Sequence, residues 1–468
     1  MKTINRRQLL VGTAAAALLA PVSAHAKVLM AQDGFTVLKI EKVPITLLKG
    51  GKAIHLWAYE GINPGPEIRV KQHSEAKLRL VNGMDEATMI HWHGIRIDNA
   101  MDGSPLTQNP VEPGETFDYE FAVADAGTYW YHPHVDASKQ VEHGLYGAFI
   151  VEEENPPEGV EDLTLVLDDW LIDDDGTLNQ EAFNNIRIAA HGGRLGNWFT
   201  VNGQSRPRLQ AAAGRRIRLR LINCANARIM NIQVKGAEPV IVALDGQPLP
   251  SPRDVGAEPL QLGPGARADL IIRRGSDEII LANLSAQQEP LEVAYISRTG
   301  KPGAEDTGPI APLPGNGLPE TIDVSGVTVR ELVMEGGAMG GLAGAKLRGR
   351  DVDMRELVQN GMAWAFNGVA GMTEEPFATL KEGETAVFDF VNKTAWPHAM
   401  HLHGHHVKVM QVDGKAAEHS DWRDTVLVAA DSRVRVAFIA DNLGKWMLHC
   451  HMLEHQEAGM MTWIAVEI

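Results

Sequence analysis

The sequence predicts an all-β protein of three consecutive β-sandwich domains, on three observations. Helical periodicity is nearly absent; short alternating or β-branched runs punctuated by Gly, Pro and Asn take its place, which is how sandwich strands read. At 468 residues the chain exceeds one ordinary domain and fits about three. A sequence pattern also recurs in each third of the chain, and a repeat of this kind fixes architecture before any single strand does.

Taken in order, residues 1–26 read as an export segment. Arg6-Arg7-Gln8-Leu9-Leu10 is a twin-arginine pattern, followed by an apolar run from Val11 to Ala20 and a small-residue cleavage site at Ala24-His25-Ala26. Ten apolar residues are too few for a membrane anchor, so a mature chain from Lys27 and a periplasmic location are expected. The first domain is expected over 27–153, with Asn155-Pro156-Pro157-Glu158-Gly159 as a linker. The second is expected over 160–298. Residues 299–345, rich in Gly and Pro, read as an exposed connection, and 346–468 as the third domain. Strands are expected at Ala76–Val81, Thr116–Ala122, Arg215–Ile222, Ala386–Val391 and Arg433–Ile439, and a weak helical stretch near Asp351–Asn360.

The repeat runs as follows. Leu80-Val81-Asn82 leads to His91-Trp92-His93, and Phe390-Val391-Asn392 leads to His401-Leu402-His403. In the middle third, Leu221-Ile222-Asn223 leads to Asn231-Ile232-Gln233, so the histidine pair is replaced there. Asn202-Gly203 and Asn367-Gly368 recur as well. A second element aligns Gly127 through His132-Pro133-His134 with Gly444 through His449-Cys450-His451. The second domain is therefore expected to carry no ligands.

Ten of the 18 histidines fall in these motifs and in His398 and His455. Neighbouring side chains on a strand face opposite ways. Cys450 thus points away from His449 and His451, and a bend can return His455 and Met460 to the cysteine side. A thiolate with histidines and a weak axial methionine is the ligand set of a blue-copper electron-transfer centre, which His398 completes. Four His-x-His or His-Cys-His pairs give eight further ligands. They split evenly between the first and third domains, so a cluster made of them lies at the interface, where sites are often found.

On these motifs the chain resembles the multicopper oxidases, which include laccases and bacterial copper-efflux oxidases. The resemblance implies three cupredoxin-like Greek-key sandwiches and four coppers. It implies type 1 ligands His398, Cys450, His455 and Met460, and type 2 ligands His91 and His401. It assigns His93, His132, His134, His403, His449 and His451 to the type 3 pair. Electrons from a substrate near His398 or His455 would pass through Cys450 to His449 and His451, adjacent residues at roughly 3.3 Å of strand rise. Dioxygen would be reduced to two waters. Asp102 matches an acid that bacterial members place near the type 2 copper, and a turn aspartate before Gly103 is the plainer alternative. Gln456 stands where close relatives often have Glu, and an amide cannot deliver a proton as an acid; Glu457 is next.

The formal charge of −17, or −20 without Lys2, Arg6 and Arg7, argues against nucleic acid or anionic membranes as partners. Beyond the N-terminal segment no apolar run is long enough to span a membrane, and a monomer is expected. With Cys450 committed to copper, Cys224 reads as a buried strand residue and no disulfide is expected. His405, His406 and His419 read as loop or outlying residues. His55, His73, His143 and His191 have no partner pattern. Met334, Met339, Met354, Met362 and Met372 read as ordinary packing. Three functions stay open. One is a laccase-type oxidase of phenols or aromatic amines. Another is a metal-ion oxidase of Cu(I) or Mn(II) in copper tolerance. The third is a copper-binding or scaffold protein without turnover, against which the complete ligand set argues.

Overall fold

The computed structural model describes residues 31, 33–48, 50–285, 290–300 and 308–468. The expected export segment, 1–26, lies outside these. Among the described residues no helix is long and apolar enough to cross a membrane.

All five expected strands form, with ends shifted by at most two residues. Their alternation is the reason. In Glu75–Asn82 every second side chain, from Ala76 through Leu78 and Leu80 to Asn82, is buried, as a half-buried sandwich strand requires. The N-terminal region forms two four-stranded sheets. One runs in the order Ile54–Tyr59, Thr36–Ile45, Glu75–Asn82, Thr116–Ala122. The other runs Gly65–Lys71, Gly147–Glu152, Gly127–His132, His91–His93. The middle region, from Val160 to Thr299, builds one nine-stranded sheet system. The C-terminal region builds a ten-stranded sheet and a five-stranded sheet holding His398–Leu402 and Gly444–Cys450.

Among the described residues four short α-helices interrupt the strands: α1 (Ala137–Glu142), α2 (Ile186–Ala189), α3 (Met354–Gln359) and α4 (Leu453–Glu457). The helical stretch expected near Asp351–Asn360 is α3, capped by Asp353, whose side chain accepts from the Glu356 amide. The expected connection over 299–345 needs correction. Val329–Gly336 is a strand paired in parallel with Glu384–Asn392, and Gly344 opens another. Its inward residues Leu332 and Met334 are buried; the glycines that follow masked a period-2 strand. Met334 is thus core, whereas Met339 is 81% exposed.

The repeat has a physical cause. Asn82, Asn223 and Asn392 each end a strand, and each accepts the amide two residues on while its Nδ2 donates to loop carbonyls. The same asparagine therefore shapes the loop into the next strand three times. Asn202 and Asn367 sit at φ of 50° and 47° and bridge a neighbouring strand through both amide atoms. Asn tolerates that left-handed backbone better than most residues.

Register then places the histidines. His91 pairs with His132, and His401 with His449. Met400 pairs with Cys450, so the opposite face of the same two strands carries the thiol. One apolar core joins Trp92, Tyr119 and Tyr131 to Trp446, Leu448 and Met460, which locks the two histidine-bearing regions together.

Candidate metal centre

Ten histidines and Cys450 converge in two buried groups. In the first, Cys450 Sγ lies 3.6 Å from His398 Nδ1 and 3.7 Å from His455 Nδ1, and the two nitrogens are 3.1 Å apart. Met460 is fully buried, and its backbone bonds to Cys450 and His455. A turn followed by α4 returns His455 to the cysteine side, as strand alternation predicts.

The second group holds the other eight histidines. Their ligand atoms form the sets His93, His132, His451 and His134, His403, His449, with His91 and His401 joined to His93. Each set draws on both the N-terminal and C-terminal regions. His403 Nε2 faces His449 Nε2 at 3.1 Å, and His451 Nε2 faces His132 Nε2 at 3.4 Å.

The ring nitrogens that point outward are held. His91 Nδ1–H donates to Asp102 O at 2.8 Å, His401 Nδ1–H to Asp424 O at 2.9 Å, and His449 Nδ1–H to Cys450 O at 3.0 Å. His132 Nδ1–H donates to Pro133 O at 2.9 Å. His403 Nδ1–H reaches the Asp102 carboxylate at 2.9 Å, and His93 Nε2–H the Asp424 carboxylate at 3.1 Å. A carbonyl or carboxylate partner requires the N–H on that atom, so the opposite nitrogen carries a lone pair. Among the described residues, buried His91 Nε2, His93 Nδ1, His401 Nε2, His451 Nδ1 and both nitrogens of His134 have no hydrogen-bond partner. A buried unpaired acceptor is costly, and the lone pairs of His91 Nε2, His93 Nδ1 and His401 Nε2, opposite their held N–H atoms and grouped together, fit a metal cluster.

Electrostatics agrees. Burial first, then the neighbouring imidazoles, holds His132, His134, His403, His449 and His451 well below the usual histidine range. Burial brings His455 down to about 4. Neutral imidazole is the ligating form. Burial pushes the Cys450 thiol up to about 12, so its thiolate needs a cation beside it. Thiolate and imidazole together suit copper.

Several parts of the site escaped sequence reasoning. Asp424, fully buried, touches His93 and is forked by Arg267 at 2.7 and 2.6 Å. Burial alone would raise it, but the Arg267 guanidinium and His93 hold it well below the usual carboxylate range. Arg267 belongs to the middle region and also reaches Thr128 O and Gly265 O. Gly265, at φ +83°, presses against the cluster; a Cβ there would lie 2.9 Å from His93 and 3.0 Å from His451. Charged residues inside the apolar run Ala266-Arg267-Ala268-Asp269-Leu270 were the available signal. His191, read as unpartnered, offers its carbonyl to His455 Nε2 at 2.7 Å; a backbone atom has no sequence signature. His406 Nε2 bonds Asp245 O behind the cluster, and His419 lies at the surface. Cys224 is buried one residue past its strand. Gln456 is buried with Oε1 unpartnered among the described residues, and Glu457 accepts from Ser138 N and Oγ, both at 2.8 Å.

Comparison with known proteins adds a name. Three sequence models described as multicopper oxidase match residues 39–156, 161–278 and 350–468. The multicopper oxidase MmcO of Mycobacterium tuberculosis is 29% identical, over 90% of this chain and 84% of its own. A multicopper oxidase structure from Pseudomonas thermotolerans is 34% identical at a TM-score of 0.79, over 92% and 98%. A Campylobacter jejuni multicopper oxidase, titled a metallo-oxidase, is 26% identical at 0.77, over 93% and 92%.

Proposed function

The chain belongs to the multicopper oxidase family and is a copper-dependent oxidase with dioxygen as acceptor, and on that premise we propose that it holds four coppers. His398, Cys450, His455 and Met460 would hold one. His91 and His401 would hold a second. His93, His132 and His451 would hold a third, and His134, His403 and His449 a fourth. The observation that carries the reading is the set of lone-pair nitrogens, opposite held N–H atoms, gathered in two buried triads. Bound copper supplies one-electron uptake and the four-electron reduction of dioxygen to water.

The chain's own residues do the rest. Cys450 bridges the two groups covalently, one residue from His449 and one from His451. Asp102 fixes His91 through its carbonyl and His403 through its carboxylate, and would hold a proton for oxygen reduction. A one-electron donor, either a phenol or aromatic amine or a metal ion such as Cu(I) or Mn(II), supplies the electrons. The relative titled a metallo-oxidase supports the metal-ion reading. The twin-arginine pattern at Arg6-Arg7 supports export to the periplasm.

One experiment tests the assignment. Native, Cys450→Ser and Asp102→Asn proteins are loaded with copper, counted for metal, and followed by stopped flow. Native protein should bind four coppers and be blue. Cys450→Ser should be colourless and inactive while keeping its type 2 signal. Asp102→Asn should bleach normally with donor yet reoxidise roughly 100-fold more slowly. Colour surviving in Cys450→Ser would refute the type 1 assignment, and parental reoxidation in Asp102→Asn would leave that residue a turn former.

A further inference from the structure

We infer that the middle region caps the electron-entry side of the Cys450 site, selecting outer-sphere donors, such as metal ions and small metal complexes, over phenols. This rests on the copper reading above and deepens it.

Three consecutive carbonyls at the end of α2 take hydrogen bonds from the C-terminal region. Ala189 O accepts from Trp364 Nε1 at 2.7 Å, Ala190 O from the Ala338 amide at 2.6 Å, and His191 O from His455 Nε2 at 2.7 Å. Trp364 packs against both ligand rings, 4.4 Å from His455 and 5.0 Å from His398. Trp396 closes the outer side. Its Nε1 donates to Ala338 O at 3.1 Å, and its ring meets His191 edge-on at 5.5 Å. The other imidazole is closed as well, because His398 Nε2 donates to Thr394 Oγ1 at 2.9 Å. His398 and His455 are each 0% exposed.

The chemistry follows from those two hydrogen bonds. A phenol oxygen docking on either ring needs the Nε2–H as its donor, and both are already engaged. A phenol also releases a proton with its electron, and so needs an acceptor at the ring as well. An outer-sphere donor needs neither contact. It loses one electron across the His191–His455 hydrogen bond and forms no bond to the ring. Four such donors, four protons from solvent and one dioxygen give four oxidised donors and two waters. Donation to a carbonyl also makes the His455 imidazole a stronger ligand, which lowers the potential of a metal bound there.

The test compares 2,6-dimethoxyphenol with a neutral ferrocene alcohol on the copper-loaded full chain, in native, Trp396→Ala and Ala338→Pro forms. Trp396→Ala removes the outer wall, and Ala338→Pro removes the amide that holds Ala190 O. The native protein should favour the ferrocene in kcat/KM. Each variant should raise the phenol-to-ferrocene ratio about tenfold, the worth of one hydrogen bond, with a raised type 1 potential by redox titration and the blue band retained. An unchanged ratio and potential in blue variants would overturn the cap. Should both variants lose the blue band, the native protein decides, since a phenol kcat/KM equal to or above that of ferrocene overturns it alone. A native protein that binds copper without colour removes the copper reading and the cap with it.

Discussion

The middle region and the two flanking regions share one repeat and use it differently. Asn223 shapes its loop as Asn82 and Asn392 shape theirs, yet Asn231 and Gln233 stand where the others have histidines. The region nevertheless reaches the centre at three points. Arg267 forks Asp424, Gly265 presses on His93 and His451, and His191 O takes the His455 proton. The flanking regions supply the clustered histidines, and the middle one fixes how several of them point. The region without the histidine pairs is thus a brace rather than a spacer.

The largest break in that comparison should come from Arg267→Met, which keeps the volume and leaves Asp424 buried without its guanidinium partner. Removing one partner of a buried pair costs about 3–5 kcal/mol. Arg330→Met, which loses a half-exposed pair with Glu384 in the C-terminal region, should cost under about 1 kcal/mol. Urea unfolding of the copper-free proteins measures both. Equal losses would mean that the middle region's cation braces nothing special.

A smaller effect is expected from Gly265→Ala. The left-handed backbone and the close approach to two imidazoles should together cost about 1–3 kcal/mol. Copper content should fall at the histidine cluster while the blue band persists. A variant with four coppers and native melting would show that the loop yields freely.

The smallest effect sharpens the contact between the N-terminal and middle regions, where no ligand is involved. His143 stacks between Trp57 at 4.4 Å and Phe183 at 4.7 Å, and burial brings it down to about 4. Above the unfolded value near 6.5 the ring is neutral in both states. As pH falls below that value the unfolded chain takes the proton first, so stability is lost between about 6.5 and 4. The loss should be about 3 kcal/mol and should vanish in His143→Phe, compared by thermal melts across that range. An identical pH slope in the variant would assign the loss to other groups.

The sequence by itself determined the all-β class, the three repeats, the histidine and cysteine motifs and the opposed faces of Cys450 and its flanking histidines. Each of these is written in local spacing, with strand period 2, the recurring Leu-x-Asn and Phe-x-Asn ends, and His-x-His. The strand at Val329–Gly336 was the local exception, hidden by the glycines around it. Only the tertiary structure decided which histidines share a set, that Asp424 meets His93 from 331 residues away, and that a carbonyl of the middle region covers His455. Those contacts depend on how separate sandwiches pack, and a carbonyl oxygen is the same atom in every residue.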